Sequence, residues 1–345
     1  MFIQNAWYVA CSLAELEALA PKPLARTICN HKMVFFRGPD GIPAAIEDFC
    51  PHRGAPLSLG KVCEGKLICG YHGLAMGHQG KALSMPGQRV TGFPAVQAYA
   101  AVERYGFLWV WPGDQTVADV AQLPSYDFLD HPDWAYGGGM YHVEADYRLM
   151  IDNLMDLTHE TYVHANSIGQ REIDEAPSTT SVEGDQVILQ RHMKGINAPP
   201  FWQMAMTAHG LDPQARVDRW QICRFTPPSH VMINVGVALE GHGGFDAPLE
   251  CKASGVVVDF ITPETERSHW YHWGMARQFK PGDTVLTQKI REGQAKIFSE
   301  DLEILELQQA NIERWPDRRL LMLNIDSGGV KSRRLISKYM AHEKS

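Results

Sequence analysis

The stretch Cys50-Pro-His52, followed by Cys69-Gly-Tyr-His72 with sixteen residues between His52 and Cys69, decides the fold of the first part of this chain. Each half of the motif offers one thiolate and one imidazole, so the two halves together provide two sulfur and two nitrogen ligands. This set of donors suits either an iron–sulfur cluster with mixed ligands or a zinc ion. The cluster would accept electrons, whereas zinc would join two loops and carry out no redox chemistry.

The residues around this motif favour iron over zinc. Gly54, Gly70 and Gly73 allow tight turns in which backbone N–H groups point at bridging sulfides. The pair Pro86-Gly87 suits a third loop that covers a cluster. Common zinc sites place cysteines in one arm and histidines in the other, but each arm of this motif mixes the two.

The double motif resembles the signature of the Rieske domain, Cys-x-His followed by Cys-x-x-His. That resemblance implies a [2Fe-2S] cluster in which Cys50 and Cys69 bind one iron while His52 and His72 bind the other. Short strands separated by turns are predicted around it, at 7–11, 25–29, 33–37, 44–47 and 106–111. We therefore predict an N-terminal all-β Rieske domain over residues 1–114.

Composition limits the classes of protein that this chain can be. Its 345 residues are enough for two domains, and 45% of them are apolar, as in a globular protein. A formal net charge of −8 argues against a nucleic-acid partner, because phosphate binding needs a basic surface. The first residues show no targeting pattern, and no apolar run reaches membrane-spanning length, so we expect a cytoplasmic protein with no membrane partner.

The remainder of the chain, residues 115–345, mixes helices with strands. Its hydrophobic patterns predict a helix at 147–164, strands at 186–193, 217–225, 229–239, 254–262 and 268–276, and a long helix at 283–314. The fold class is thus α+β, with the all-β domain followed by a catalytic domain of antiparallel sheet plus helices.

A second group of metal-binding side chains lies in the predicted helix at 147–164. Asn153, Asp156 and His159 follow each other at steps of three, which keeps them near one helical face. His159 and His164 are five residues apart, so their imidazoles converge only if the helix ends or widens there. The alternative is a pair of partly exposed histidines near a helix end.

Asp301 changes the balance between these two interpretations. It lies among large apolar residues of the long helix, which are Ile297, Phe298, Ile304 and Leu305. The solvated side of the helix is predicted to carry Glu300, Glu303 and Glu306. A lone carboxylate on a core face needs a cation, and a metal bound by His159, His164 and Asp301 would supply one. Two histidines and a carboxylate form the facial triad of non-haem Fe(II) oxygenases, which leaves positions open for dioxygen.

The motif Asn-x-x-Asp-x-x-His-x-x-x-x-His after a Rieske domain resembles the oxygenase component of Rieske non-haem iron oxygenases. Within that family, the segments at 47–60, 136–139 and 220–230 are similar to the vanillate O-demethylase oxygenases. The likeness covers nearly the whole chain. It implies a helix-grip, START-like catalytic domain and a homotrimer in which the cluster of one subunit serves the iron of its neighbour. Asp156 would bridge His159 and His72 of the partner subunit.

The resemblance also implies the reaction and the partners. The substrates would be O2 and a small aromatic acid, vanillate, which would be converted to protocatechuate and formaldehyde. Electrons would come from NADH through a separate reductase with a flavin and a [2Fe-2S] cluster, since this chain has no Gly-x-Gly-x-x-Gly fingerprint.

Two polar residues interrupt apolar strands and are candidates for binding the substrate, namely Asn234 and Asp259. The alternative for each is a buried polar group that the backbone satisfies. Other functions also stay open at this point. They are demethylation of another methoxybenzoate, ring dihydroxylation, a bare Rieske electron carrier and a structural zinc protein.

Overall fold

The computed structural model describes residues 1–343, and these form two compact units. The first unit comprises Met1–Ser125 with Thr262–Thr265, and the second comprises Tyr126–Ile261 with the residues from Glu266 onward. The domain limits of 1–114 and 115–345 stay a prediction. No helix within residues 1–343 is both long enough and apolar enough to cross a bilayer.

The first unit is built from ten strands and one short helix. Their bounds are β1 Tyr8–Ser12, α1 Leu13–Leu19, β2 Leu24–Ile28, β3 His31–Arg37, β4 Pro43–Glu47, β5 Lys61–Cys63, β6 Lys66–Ile68, β7 Ala75–Met76, β8 Ala82–Ser84, β9 Ala98–Arg104 and β10 Phe107–Trp111. Six strands form an antiparallel sheet in the order β1-β10-β9-β4-β3-β2, and the other four form a small sheet in the order β5-β6-β7-β8. The predicted all-β N-terminal domain is confirmed.

The apolar core of this unit includes both cysteines of the motif. Cys50 and Cys69 pack in one cluster with side chains of β3, β4 and β6, such as Phe36, Ile46 and Leu67. Burial of these side chains fixes the roots of the two loops that carry the cysteines.

The second unit combines seven strands with six helices. Their bounds are β11 Ala135–Val143, α2 Tyr147–Leu154, α3 Glu160–Val163, α4 Glu172–Glu175, β12 Ser178–Glu183, β13 Gln186–Asn197, α5 Pro200–His209, β14 Arg216–Thr226, β15 His230–Leu239, β16 Lys252–Thr265, β17 Ser268–Arg277, α6 Thr284–Arg314 and α7 Ser327–His342. The strands form one antiparallel sheet in the order β11-β17-β16-β15-β14-β13-β12. Helix α6 packs on β11 and β17, while α7 packs on α2, β12 and β13. The predicted sheet-plus-helix domain is confirmed.

The continuous helix predicted at 147–164 is wrong in its middle. Helix α2 ends at Leu154, and a 3-10 turn at Leu157–His159 leads into the single turn of α3. The Asp156 carboxylate accepts hydrogen bonds from the backbone N–H and the hydroxyl of Thr158, so it caps the new turn instead of continuing the old helix. The helix therefore ends between Asn153 and His159, as convergence of the two histidines requires.

Strand β11 and helix α7 were absent from the predicted elements. Strand β11 contains Gly137, Gly138 and Gly139, and runs of glycine are unusual in strands. Tight packing explains them, since a Cβ atom on Gly138 would lie 2.3 Å from the Trp273 carbonyl oxygen, and one on Gly139 would lie 2.6 Å from the Trp273 ring. Close approach to β17, rather than strand propensity, determines the residues of β11.

Candidate metal centres and substrate cavity

The two halves of the cysteine and histidine motif form two loops with the same hydrogen-bond pattern. In the first loop Cys50 N–H donates to the Ala55 carbonyl, and Gly54 N–H donates back to the Cys50 carbonyl, both at 2.8 Å. In the second loop Cys69 N–H donates to the Leu74 carbonyl at 2.9 Å, and the N–H four residues after Cys69 donates back at 3.1 Å. The residue at that fourth position is a glycine with positive φ in both loops, as the tight turns required.

These loops separate the sulfur donors from the nitrogen donors. Cys50 and Cys69 are 2% and 3% exposed, whereas His52 and His72 lie at the surface with ring centroids 4.6 Å apart. Burial raises the pKa of the Cys50 thiol, and the neighbouring Cys69 raises it further. Backbone N–H groups of His52 and Arg53 oppose this by bonding to the Cys50 sulfur. Two adjacent sulfurs beside two adjacent imidazoles fit a [2Fe-2S] cluster with one iron on each side.

The predicted third loop lies against the second ligand loop. Met85 and Gln88 form a β-bridge around Pro86-Gly87, and Gly87 has a positive φ. A Cβ atom placed on Gly73 would lie 3.2 Å from Pro86 Cγ, which shows how closely the two loops approach.

In the second unit, the structure brings His159, His164 and Asp301 together. His159 Nε2 lies 3.5 Å from Asp301 Oδ1, and His164 Nε2 lies 3.3 Å from Asp301 Oδ2. One donor atom from each of the three residues lies within 4.8 Å of the others. His164 and Asp301 are buried, and His159 is partly exposed.

Hydrogen bonds on the far side of each ring determine which nitrogen faces Asp301. His159 Nδ1 lies 2.8 Å from the Asp156 carbonyl oxygen, and His164 Nδ1 lies 2.8 Å from Glu300 Oε2. Both partners are acceptors, so each Nδ1 carries a proton and each Nε2 offers a lone pair. When both rings are neutral, two lone pairs then meet two carboxylate oxygens with no proton between them. This arrangement fits a cation at the centre, and its donors are those of the non-haem iron facial triad.

Without a cation, His164 responds by binding a proton more tightly. Burial lowers the pKa of His164, but the hydrogen bonds to Asp301 and Glu300 outweigh burial and hold that pKa above its ordinary value. The site therefore favours a positive charge, which either a proton or a metal ion provides.

Two expectations about helix α6 were wrong. The sequence pattern predicts Glu300 on the solvated side, but its carboxylate accepts the hydrogen bond from His164. The pattern also predicts Ile304 in the buried stripe around Asp301, but Ile304 is 48% exposed. The buried stripe is therefore narrower than the sequence pattern indicated, since Ile297, Phe298 and Leu305 are buried but Ile304 is not.

Asn153 and Asp156 lie beside the triad with different contacts. Asn153 Nδ2 donates to Asp301 Oδ1 at 3.0 Å, and Asn153 Oδ1 is buried without a hydrogen-bond partner in the described chain. The carboxylate of Asp156 is partly exposed and bonds to Thr158, while it is the main-chain carbonyl of Asp156 that contacts His159.

A largely apolar cavity opens beside the triad, with an empty volume of about 630 Å³ that includes its mouth. Its apolar walls come from the sheet, from α6 and from α5, and include Ile233, Val235, Val257, Met275, Ile297, Phe298 and Trp202. Its polar lining, besides the triad, consists of Asn153, Glu160, Arg219 and Gln294.

Glu160 and Arg219 form a buried ion pair in the wall of this cavity. Arg219 Nη2 donates to Glu160 Oε2 at 3.0 Å, and Gln221 Nε2 donates to the same oxygen at 2.9 Å. Arg219 Nη1 also donates to the Ile168 carbonyl and to the side chain of Gln170, which fixes the segment after His164. Burial lowers the pKa of Arg219 and the pairing with Glu160 opposes this.

Sequence analysis missed this pair and Gln294. A usable signal existed for each, because Arg219 interrupts a strand that is otherwise mostly buried. Gln294 lies seven residues before Asp301 and therefore on the same buried stripe of α6.

The two candidate substrate residues, Asn234 and Asp259, do not line the cavity. Ile233 and Val235 line it, so alternation along β15 turns Asn234 to the opposite face, where it accepts a hydrogen bond from Trp220 Nε1 at 3.0 Å. The sequence pattern could not tell which face of β15 was inward, because both faces are largely apolar.

Asp259 is fully buried and accepts a hydrogen bond from the Tyr271 hydroxyl at 2.7 Å. Burial raises the pKa of Asp259 to about 8; Tyr271 lowers it and the charge of Asp301 adds to the rise. Asp259 is thus a carboxyl group of the core rather than of the cavity wall.

Comparison with known proteins finds two matching family models. The model of the Rieske [2Fe-2S] domain matches residues 6–100. The model of the vanillate O-demethylase oxygenase C-terminal domain matches residues 143–342, which is more than half of the chain. The chain is 64% identical over 343 residues to a vanillate O-demethylase oxygenase subunit of Pseudomonas sp. (strain HR199 / DSM 7063), covering 99% of this chain and 96% of that protein.

Solved structures of dicamba monooxygenase share the fold. The crystal structure bound to 3,6-dichlorosalicylic acid superposes with a TM-score of 0.90 at 32% identity, covering 100% of this chain and 99% of the other. The structure with non-heme iron and dicamba superposes with a TM-score of 0.81 at 32% identity, covering 99% and 98% of the two chains.

Proposed function

The chain belongs to the vanillate O-demethylase oxygenases of the Rieske non-haem iron family, and from this premise we propose that it removes the methyl group of vanillate by oxidation. The cofactors of the family are a Rieske [2Fe-2S] cluster and a mononuclear non-haem iron. The observation that carries the proposal is the largely apolar cavity that opens on His159, His164 and Asp301.

The reaction consumes vanillate, O2, NADH and a proton, and yields protocatechuate, formaldehyde, water and NAD⁺. One oxygen atom enters the methoxy carbon to give a hemiacetal, and the other leaves as water. The hemiacetal then loses formaldehyde and leaves the phenol. When bound, the mononuclear iron activates dioxygen and the cluster supplies electrons one at a time.

The residues of the chain supply ligation, orientation and exclusion of water. Cys50, His52, Cys69 and His72 would hold the cluster, and His159, His164 and Asp301 would hold Fe(II) on one side only. Glu300 and the Asp156 carbonyl keep the Nε2 atoms of the two histidines free for the metal. The apolar walls of the cavity keep bulk water away from the methoxy carbon.

Arg219 is the cationic side chain in the wall of the cavity. Its Nη2 atom is paired with Glu160, and we assign the carboxylate of the substrate to its remaining donor. Its Nε–H is buried without a hydrogen-bond partner in the described chain, although both Nη atoms are bonded. A buried carboxylate needs a charged donor of this kind, because a neutral donor alone does not offset its desolvation.

Electron delivery would involve a second subunit and a separate reductase. The proposed assembly is a homotrimer in the cytoplasm, in which Asp156 links the two sites. Its main-chain carbonyl contacts His159, and its carboxylate would bond to His72 of the partner subunit. The surface position of His72 supports this route, since the imidazole side of the cluster is the accessible one. The reductase carries a flavin and a [2Fe-2S] cluster and accepts electrons from NADH, for which this chain shows no dinucleotide fingerprint.

Release of formaldehyde from vanillate tests the proposed function. The purified chain, combined with a reductase, NADH and O2, should produce formaldehyde and protocatechuate in equal amounts. A cis-diol product would instead identify a ring dihydroxylase, and activity confined to another methoxybenzoate would change the substrate.

The variant Asp156→Asn tests the proposed bridge. The cap on Thr158 survives in an asparagine, so both metal sites should remain filled while turnover falls steeply. Iron content, the visible spectrum of the cluster and the rate of formaldehyde release measure these effects. Wild-type turnover in this variant would contradict the bridge.

A further inference from the structure

Gln294 is a buried amide in the wall of the substrate cavity. Its side chain lies on α6 and is 5% exposed, and its Oε1 atom has no hydrogen-bond partner in the described chain. The neighbouring cavity residues, which include Met275, Ile297 and Phe298, are apolar. A leucine or methionine would fill the same space without a polar group.

An unpaired buried amide has a cost in the free energy of folding. Leaving one buried acceptor without a partner destabilises a protein by about 1–3 kcal/mol. Packing gives no reason for this cost, because no described residue bonds to Oε1. A ligand in the cavity would supply the missing partner.

The spacing along α6 relates Gln294 to the metal site. Gln294 and Asp301 are seven residues apart, so they lie on one face of the helix, about 10.5 Å apart along its axis. The hydroxyl of vanillate is next to the methoxy group on the ring. The metal and the methoxy group together, rather than the whole ring, would therefore separate Asp301 from a hydroxyl that lies beside Gln294.

We propose that Gln294 determines specificity by hydrogen bonding to the phenolic hydroxyl of the substrate ring. Three polar atoms in the wall lack partners among the described residues, namely Arg219 Nε, Asn153 Oδ1 and Gln294 Oε1. Asn153 bonds to Asp301 at the triad, so Arg219 and Gln294 are left for the substituents of the ring. Arg219 is cationic and matches the carboxylate, whereas the neutral amide of Gln294 matches the neutral hydroxyl, which both donates and accepts hydrogen bonds. This assignment rests on the proposed demethylation of vanillate.

Two substrates that differ only in the hydroxyl test the assignment. Vanillate carries it, and 3-methoxybenzoate lacks it. A site built to bond a hydroxyl discriminates against the analogue without one, since its own polar group is then left unpaired. The wild-type enzyme should therefore prefer vanillate in kcat/KM and in affinity measured by titration calorimetry.

The variant Gln294→Leu should remove that preference. We expect affinity and kcat/KM for vanillate to fall by about tenfold, the value of one hydrogen bond, while those for 3-methoxybenzoate stay unchanged or improve. Removal of an unpaired amide should also leave the thermal midpoint of the substrate-free enzyme unchanged or higher. A residue with a merely structural role would instead lower the midpoint and affect both substrates alike.

Gln288→Leu is the matched control, because Gln288 lies on the exposed side of the same helix and bonds only to Glu292. This variant should leave affinity and kcat/KM unchanged for both substrates. An equal loss for both substrates in Gln294→Leu, or an unchanged preference, would overturn the assignment of Gln294. Absence of formaldehyde from vanillate with the wild-type enzyme would overturn the proposed function itself, so the two failures are distinguishable.

Discussion

The cluster-binding loops of the first unit place both histidines at the surface, whereas the second unit buries His164 and Asp301. The first site is assembled from residues 50–72, with backbone bonds inside each loop. The second joins the two histidines on either side of α3 to a residue of α6 more than a hundred positions away. Its cavity contains polar atoms without partners in the described part of the chain. A site that passes electrons needs an accessible edge, and a site that uses dioxygen needs a closed, dry wall.

The two sites also differ in how much their geometry depends on the rest of the fold. The loop site is local, so its geometry follows from two short peptides and their glycines. The triad depends on the end of α2, on the cap at Asp156 and on the packing of α6 against β11 and β17. Changes at the two sites should therefore have separable effects, and the following predictions test that separation.

The largest effect should come from Cys69→Ser. Loss of one thiolate should abolish the cluster, its visible spectrum and all turnover, because hydroxyl is a poor ligand for this iron. About one iron per chain should remain, bound at the triad. Metal analysis and circular dichroism measure these outcomes. Loss of the triad iron in a folded variant would show that the two regions are not independent.

Asp301→Asn should have the converse effect. The asparagine keeps the size of the side chain but removes its charge, so the triad should lose its iron and turnover should fall to background. The visible spectrum of the cluster should be unchanged. A variant that retains all its iron would contradict the assignment of Asp301 as a ligand.

A smaller effect is expected from Glu300→Gln. Glutamine can still accept the hydrogen bond from His164 Nδ1–H but lacks the negative charge of Glu300. Loss of such a charged partner behind a metal ligand weakens metal affinity by about 10–100-fold. Iron should be lost sooner to a chelator, and added Fe(II) should restore turnover. Glu303→Gln is the control, because Glu303 is exposed on the same helix. Equal resistance to the chelator in both variants would exclude the role of Glu300.

The smallest effect on turnover should come from Asp259→Asn, which instead changes stability. Asp259 has a pKa of about 8 when folded and near 4 when unfolded, so the folded state binds the extra proton between these values. Wild-type stability contributed by this group is therefore lost as pH rises from about 4 to 8.

Asparagine cannot lose that proton and still offers an acceptor to Tyr271. The free energy of unfolding of Asp259→Asn relative to wild type should increase across this pH range. The increase should reach up to a few kcal/mol, because it follows from the difference between the folded and unfolded pKa values. Denaturant unfolding at several pH values measures it. A constant difference between pH 4 and 8 would show that Asp259 is not a buried acid with a raised pKa.

The sequence predicted those features of the molecule that are local or that follow from burial. The cysteine and histidine loops followed from spacing, and Asp301 was identified because a lone carboxylate on an apolar stripe needs a cation. Helix α6 was predicted at 283–314 and lies at Thr284–Arg314. The overall arrangement of strands followed from alternating and apolar runs.

Other features depend on contacts that no single segment contains. Strand β11 has glycines because Trp273 lies against it, and Glu300 turns inward because His164 needs a partner. Asn234 was chosen for the substrate because it interrupts an apolar strand, but only the register of the sheet shows that it faces away from the cavity. Each of these depends on a residue that is distant in the sequence.

Helix α6 carries Gln294, Glu300 and Asp301 on one continuous span of 31 residues, about 46 Å in length. The helix therefore sets the distance along its axis between Gln294, in the wall of the substrate cavity, and Asp301 of the triad. We expect substitutions of Gln294 to change which substrate ring is accepted while the triad stays in place. An insertion or deletion between Gln294 and Asp301 would rotate one end of the helix relative to the other by about 100° per residue. A change in length here would therefore move the two side chains to different faces, whereas a substitution would not.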